Sequence, residues 1–460
     1  MGVNNLKFFI ANSLFILCCF PAWIKFWLGI SNTSKIQNQI LKRIINQNKN
    51  SKYGEKYNFC SIKNYEDWKT QVPIIDYEDI EHCIKDKSAL TTNKIKLYEP
   101  TSGSSGFQKL IPYTEELRRE FQNGIKVWLF DLYMHNLNLL FYKSYWSISP
   151  KTKTDDSEIG FEKDEEYFSK IEQKFLNTIM VQPDLTGDFL KNTKEKLTEE
   201  KDDIGLISIW SPTFLDSVLN NEVVDFTNLK IISCWADASS KMYALNLGAK
   251  YPKAIIQPKG LLSTEGITSF PLWNKGCVLS YLSHFYEFMD KNGRIFLLKD
   301  IRQGEEYTVI LTTSGGLYRY NTHDLIKVTG FYKNLPVIEF IGRNNNVSDF
   351  FGEKISESFV NNVLKELFEK EPEFAVLTFN KDRYTLFTDG YCDESELEKY
   401  LQQNYHYKNC IELGQLKPAN VENVTNGLKV YQEYYLSKGI KLGDIKVKSL
   451  DNNICDIFDV

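Results

Sequence analysis

Between residues 204 and 257 short apolar runs alternate with helical patterns, and this alternation constrains the fold more than any other feature of the chain. The runs are Ile204 to Trp210, Leu229 to Trp235 and Ala254 to Gln257, with helix-like segments at 213–220 and 239–250 between them. Strands separated by helices form an α/β layer arrangement. From 277 to 340 the texture changes to consecutive strands: Gly276–Ser283, Arg294–Lys299, Tyr307–Thr312, Leu325–Phe331 and Val337–Ile341. That pattern predicts antiparallel sheet. After Gly342 it changes again, to a helix over 356–369, a hairpin of 373–380 with 384–388, and helices over 394–404 and 420–437. The expected fold class is α/β, with a large N-terminal domain of mixed sheets and helices, residues 1–345, and a small α+β C-terminal domain, 346–460. Of the 460 residues 42% are apolar, enough for two cores.

The N-terminal third reads less regularly. Residues 8–24 are almost wholly apolar, between Lys7 and Lys25, but include Asn12, Ser13 and Pro21. No small-residue cleavage site follows, and the run is short for a bilayer span. A helix docked on the protein surface is expected, in preference to one in contact with a membrane. Residues 34–50 place Ile36, Ile40, Ile44 and Ile45 on one helical face. Pro73 to Tyr77 reads as a connector. Thr114 can cap a helix with Glu115 and Glu116 in its first turn, running to about Met134. The polar stretch 150–170 reads as a mobile excursion.

Charge and cysteine usage narrow the function. The chain has 55 basic and 60 acidic residues, a net of −5. No basic stripe stands out, which argues against a nucleic-acid partner. The nine cysteines are scattered, odd in number and without a C-x-x-C pair, so neither a disulfide framework nor a zinc site is expected. That usage suits a reducing compartment, and a cytoplasmic location is expected.

One loop carries chemistry. Thr101-Ser-Gly-Ser-Ser-Gly-Phe-Gln-Lys109 packs four hydroxyls and two glycines ahead of a lysine. Gly103 and Gly106 let backbone N–H groups close on an anion, Thr101, Ser102, Ser104 and Ser105 add donors, and Lys109 adds charge. It is a phosphate cradle, but neither a Walker A loop nor a nucleophile elbow. A preceding strand at 94–98 and a following helix at Thr114 would supply a helix dipole. A polar surface loop is the alternative.

Four further islands follow in order. They are Gly260-Leu-Leu-Ser-Thr-Glu-Gly266; Leu317-Tyr-Arg-Tyr-Asn-Thr-His-Asp324, after Ser314-Gly-Gly316; Phe340-Ile-Gly-Arg343, with Ser348-Asp349 and Gly352-Glu-Lys354; and Leu442-Gly-Asp-Ile-Lys446. With the loop they resemble the adenylate-forming enzymes. More closely, the chain resembles the auxin-responsive acyl acid–amido synthetases, particularly their bacterial members, from Pro21-Ala-Trp23 through Tyr145–Pro150 and Ser233-Cys-Trp235 to Lys446.

The resemblance implies a two-step ligase. A carboxylic acid is adenylated by ATP with loss of pyrophosphate, and an amine, usually that of an amino acid, then displaces AMP. It implies that residues 101–106 with Lys109 hold the ATP phosphates, that Ser263 and Thr264 contact the nucleotide, and that Glu265 ligates Mg2+. A helix cap or a solvated loop carboxylate is the other reading of Glu265. Asp324 would accept from the ribose hydroxyls, Arg343 would reach the nucleotide or make a domain-interface ion pair, and Lys446 would be the catalytic lysine, with Lys417, Lys441 and Lys448 as competitors. The family commonly has a glycine where this chain has His323 and a charge where it has Asn321. An acyl-CoA ligase with the same first step, or a nucleotide-binding protein with degraded catalysis, are the rival readings. Tyr145, Trp146, Trp235 and Phe285 could line an acid pocket or pack a core.

Overall fold

The computed structural model describes the chain except residues 1–2, 85, 87–88, 102–108, 148–167, 185–186, 345, 369 and 459–460. The excursion at 150–170 therefore lies largely outside the described residues. The chain divides into two compact units, the first made of residues 1–208, 225–231 and 257–340, the second of 209–224, 232–256 and 341–460.

The first unit is built on a seven-stranded sheet in the order Ile295–Leu297, Phe285–Met289, Glu306–Thr312, Tyr320–Tyr332, Leu335–Arg343, Gly276–Leu279, Ser269–Leu272. The pairings of Phe285–Met289 with its two neighbours, of Glu306–Thr312 with Tyr320–Tyr332, and of Gly276–Leu279 with its two neighbours are antiparallel, as the run of consecutive strands predicts. Side chains along Tyr320–Tyr332 alternate between buried and less buried at its start, the signature of a strand with one face on the core. Strand Phe285–Met289 falls in a stretch the sequence reading passes over. Its residues are nearly all buried, so no alternation marks it.

Three long helices pack in this unit. Glu115–His135 begins at Thr114, whose side chain accepts from Leu117 N at 3.1 Å. Thr33–Asn48 buries Ile40, Ile44 and Ile45. Val3–Gly29 runs unbroken through Pro21. Its fully buried Asn12 donates to Leu140 O and Tyr142 O, both at 3.0 Å, and accepts from Tyr133 Oη. An amide inside an apolar interface is tolerable only with its groups satisfied in this way. A parallel pair, Lys143–Trp146 with Ile204–Ser208, belongs to the α/β part of the unit.

The second unit centres on a three-stranded sheet in which Ala375–Asn380 and Arg383–Thr388 form the expected hairpin. Helices Glu357–Leu367, Glu394–Leu401 and Tyr405–Glu412 pack around it. The helix expected over 420–437 is shorter. Asn420–Asn423 is a strand, parallel to Arg383–Thr388, and only Gly427–Ser437 is helical. Unpaired strand edge at Thr385–Thr388 captures a segment whose own propensity is weak. Helices Pro212–Leu219 and Ser240–Lys250 belong to this unit too, with Gln432 bonded to Ser217 and Thr213 and Asn246 bonded to Pro372 O.

Candidate active site

The expected phosphate loop is the tip of a β-hairpin. Ile95–Pro100 and Leu110–Thr114 pair antiparallel up to Pro100 and Leu110, and Thr101 N then donates to Lys109 O at 2.8 Å. Thr101 and Lys109 thus face each other across the base of the loop. Ser102, Gly103, Ser104, Ser105 and Gly106 lie outside the described residues. The helix capped by Thr114 forms as expected, though not adjoining the loop. Leu110–Thr114 intervenes as a strand, because its apolar and aromatic residues pair with 95–100, and the helix begins at Glu115. The N-terminal helical dipole is therefore not continuous with the loop. Its first turn is occupied by Glu115, held by Lys96 at 2.7 Å and by Arg118.

Lys109 leaves this base with its charge held but reachable. Nζ lies 3.6 Å from Glu78 Oε1 and 5.2 Å from the centre of the Tyr77 ring, and a quarter of the side chain is exposed.

Glu265 occupies a second hairpin. Leu262 bridges to Ile267, Ser263 N donates to Gly266 O at 3.0 Å and Gly266 N to Ser263 O at 3.3 Å, so Thr264 and Glu265 are the two turn residues. Tyr113, in the strand leaving the phosphate loop, donates Oη to Thr264 O at 3.2 Å and ties the two hairpins together. Glu265 is neither a helix cap nor solvated. It is 5% exposed, and its carboxylate has no hydrogen-bond or ion-pair partner among the described residues. Gly266 is required by space, since a Cβ there would stand 2.9 Å from His284 Nε2 and 3.0 Å from Leu311 Cδ1.

Asp324 sits in a bulge. Thr308 pairs with Leu325 but Ile310 pairs with Asn321, so Thr322, His323 and Asp324 stand opposite Val309 alone, two residues more than a regular ladder would place there. Such bulges re-aim side chains. The bulge needs one left-handed residue, and His323 takes it with φ 59. The family's glycine is replaced without loss of that backbone conformation. Asn321 Oδ1 accepts from His323 N at 3.0 Å, and Thr322 Oγ1 accepts from Asp324 N at 3.1 Å. Asn321 thus supports the conformation that His323 must adopt. Asp324 itself is buried. Arg319, in the same motif, serves the fold. It is bidentate on buried Glu287, at 3.0 and 2.9 Å, and donates to Val72 O at 2.8 Å.

The connector at 73–77 joins the pieces, a role its sequence does not announce. Ile75 bridges to Tyr320, and Asn321 N donates to Ile75 O at 2.8 Å. Asp76 Oδ1 is 2.9 Å from His323 Nε2. Tyr77 Oη accepts from Leu110 N at 2.8 Å while its ring lies beneath Lys109. Four consecutive residues, Ile75 to Glu78, therefore connect the Asp324 bulge to the base of the phosphate loop.

Two buried clusters support these loops, and sequence reasoning misses both. Glu120 accepts from Arg43 at 2.7 Å, from His284 Nδ1 at 3.0 Å and from Ser314 Oγ at 2.6 Å, while His284 Nε2 accepts from Ile267 N at 3.1 Å. This fixes the His284 tautomer and ties the Glu265 hairpin to the Ser314-Gly-Gly turn. Glu120 and His284 are 164 residues apart, and no local pattern pairs them. The other cluster is at the carboxyl ends of the parallel strands, where open α/β sheets receive ligands. Lys259 is 7% exposed, donates to Ser208 Oγ at 2.6 Å and lies 5.3 Å from the Trp128 ring. Beside it Ser147 N donates to Ser208 O at 2.8 Å, and the Ser147 hydroxyl and Trp146 indole N–H have no hydrogen-bond partner among the described residues. A lysine immediately before Gly260, ending an apolar strand, was the available signal.

Arg343 and Lys446 belong to the second unit. Arg343 ends its strand, half-buried. Lys446 follows the short turn Leu442–Asp444 on an extended segment where Ile445, Val447 and Ser449 are buried and Lys446 and Lys448 are half-buried. Lys417 is paired with Asp382 and Lys448 lies 3.9 Å from Asp451.

Among the described residues no group of three or more His, Cys, Asp or Glu could hold a metal alone. The donor set fits Mg2+ only as that ion is usually held with nucleotides, by one or two carboxylates completed by phosphates. Glu265 is such a carboxylate.

The chain is similar to the indole-3-acetic acid-amido synthetase GH3.4 of Arabidopsis thaliana, at 23% identity over 421 residues covering 71% of this chain and 70% of that protein. Similarity to GH3.2 of the same plant is 21% over 429 residues, covering 71% and 77%. The solved AtGH3.15 acyl acid amido synthetase in complex with 2,4-DB has TM-score 0.80 and 17% identity over 96% of both chains. A 2-hydroxyisobutyryl-CoA ligase in its postadenylation state has TM-score 0.59 and 12% identity, over 92% of this chain and 90% of that one. These likenesses place the fold among the adenylate-forming enzymes. The GH3 family N-terminal domain matches residues 25–198, its central domain 277–343 and its C-terminal domain 358–453, and the chain belongs to the GH3 family.

Proposed function

We propose that this chain is an ATP-dependent acyl acid–amido synthetase. The observation that carries the reading is the joining, within one unit, of the phosphate-loop base, the buried Glu265 and the Asp324 bulge, through Tyr113 and residues 75–78. Lys109 and the loop hold the triphosphate. Thr264 donates toward the α-phosphate, and Asp324 accepts from the ribose hydroxyls, for which an anionic acceptor is stronger than a neutral one. An oxygen of the acid's carboxylate attacks the α-phosphorus, the bond to the bridging oxygen breaks, and pyrophosphate leaves. The amine nitrogen then attacks the acyl carbon, loses a proton, and AMP departs with the bonding electrons. Catalysis rests on positioning and on charge neutralisation.

Glu265 would hold Mg2+ together with the phosphates, and the ion would supply further charge neutralisation. Lys446 serves the first step from a small domain beginning near residue 346, and Arg343 reaches the nucleotide beside that junction. The acceptor is an amino acid, for which the GH3 relationship is the support. Within the family we infer the bacterial branch, which the modest identity to the plant proteins leaves open. The cytoplasm, with its reducing thiol pool, suits nine unpaired cysteines.

ATP–pyrophosphate exchange across a panel of carboxylic acids tests the reading. Exchange that depends on one class of acid is expected. Exchange absent with every acid, from folded protein, would favour a nucleotide-binding protein without catalysis.

A further inference from the structure

The first helix turns apolar surface to both sides. Phe8, Ala11, Phe15, Ile16, Cys19 and Phe26 are buried against the first unit. On the opposite face Leu6, Ile10, Leu14, Leu17, Phe20, Ile24 and Leu28 are 36–76% exposed, at steps of three or four residues. That spacing makes one continuous stripe. From Asn5 to Gly29 every exposed residue belongs to this stripe or is Pro21, Lys7 or Lys25. A helix on a water-facing surface would carry polar residues there.

The charge of the same region is one-sided. Residues 1–54 hold seven Lys or Arg and no Asp or Glu, in a chain whose net charge is −5; of the seven, Arg43 and Lys52 are paired with Glu120 and Asp86. Lys7 and Lys25 are eighteen residues apart, five whole turns, so they flank the stripe on one edge about 27 Å apart. Lys333 adds a third cation at the helix end, 4.8 Å from the Trp27 ring. Among the described residues Glu172, an acid near the helix middle, is paired with Lys126 at 2.6 Å.

We propose that this face docks reversibly on an anionic lipid bilayer, with the helix lying in the interface plane. An apolar stripe bordered by lysines is the pattern that binds there. The helix is long and apolar enough to cross a membrane by length and composition. Spanning is nevertheless excluded, because its other face is part of the core and Asn12 is bonded inside it. A second copy is the poorer occupant, since stripe-to-stripe contact would oppose two basic regions. The stripe residues up to Ile24 lie ahead of the family match, which begins at residue 25. The inference is independent of the catalytic reading.

The test is flotation of the intact protein with vesicles of phosphatidylcholine, alone or with about a third phosphatidylglycerol. Flotation with the anionic vesicles, lowered at least tenfold on neutral ones and reduced by 0.5 M salt, is expected. Replacing Ile10, Leu14 and Leu17 by Ser should abolish flotation. Lys7→Gln with Lys25→Gln should weaken it, by about fivefold per lysine. Melting temperatures should hold in both variants, because the altered side chains are exposed. Absence of flotation with anionic vesicles, or equal flotation of the Ser variant, would overturn the proposal. So would a concentration-dependent dimer lost in the Ser variant without lipid binding, or protein released only by detergent.

Discussion

His323 holds a left-handed backbone, φ 59, and its Nε2 stands 2.9 Å from Asp76 Oδ1. The conformation costs a side-chain-bearing residue about 1–2 kcal/mol relative to glycine. It persists because Asn321 Oδ1 accepts the His323 N–H from two residues back, and the imidazole stands beside Asp76. The two departures from the family pattern are therefore coupled, each explaining the other. Together they keep Asp324 in its bulge.

Asn321→Ala should separate support from catalysis. Loss of the Oδ1 acceptor leaves the left-handed turn without its bond, a cost of about 1 kcal/mol. The turn carries Asp324, so KM for ATP should rise several-fold while kcat changes little. Urea denaturation and an ATP titration read the two effects. An unchanged KM would show that the bulge does not position the ribose site.

Glu265→Gln should cost function without stability. No described residue pairs with the carboxylate, so thermal denaturation should shift little. Pyrophosphate exchange should fall by about 10²-fold, as loss of a transition-state charge contact does. Gly266→Ala, next door, should do both, because its Cβ would crowd His284 and Leu311 at a cost of about 1–3 kcal/mol. Full activity in Glu265→Gln would remove this residue from the site.

Helix Lys170–Ile179 should loosen in acid. Burial alone would raise the Glu172 carboxyl, but hydrogen bonds from Lys126 and Ser169 together hold it below the ordinary value. A lowered native value means stability that is present above the unfolded value and lost as pH falls through the native one. Lys126→Met should therefore destabilise by about 3 kcal/mol at pH 7, since it leaves a buried acid without its cation. The difference from wild type should shrink at pH 3. Urea denaturation at both values checks it, and an equal difference at both would deny the pair its role.

Much of this molecule was legible in sequence because its signals are local. The strands at 204–208, 231–234 and 255–258, and the helix capped by Thr114, follow from apolar periodicity and capping chemistry. The motif loops could be read because glycine, hydroxyl and acid sit within a few residues of one another. What stayed hidden depends on partners distant in the chain. Leu110–Thr114 is a strand because 95–100 pairs with it, and Asn420–Asn423 because Arg383–Thr388 offers an edge. Asp76 looks like any connector residue until His323 is placed beside it. Glu120 is an ordinary charge by position, and only its burial among Arg43, His284 and Ser314 exposes its work on the loops.

Lys446→Ala should split the two half-reactions. Adenylation needs a cation beside the α-phosphate and the acid, whereas attack by an amine needs that space open, so one arrangement is poorly suited to both. Gly342 at φ 145 and Gly352 at φ 99 flank the junction with backbone that side chains resist. Pyrophosphate exchange should fall by about 10²-fold or more, while amide formation from a supplied acyl-adenylate largely survives. Unaltered exchange would return the assignment to Lys441 or another lysine.

Product analysis tests the central claim most directly. The enzyme is incubated with ATP, Mg2+, an acid active in exchange, and either an amino acid or coenzyme A, and the products are resolved by mass spectrometry and phosphorus NMR. Equal amounts of AMP, pyrophosphate and an acyl–amino acid amide are predicted, with coenzyme A inert. ADP and phosphate, or a thioester with no amide, would contradict it.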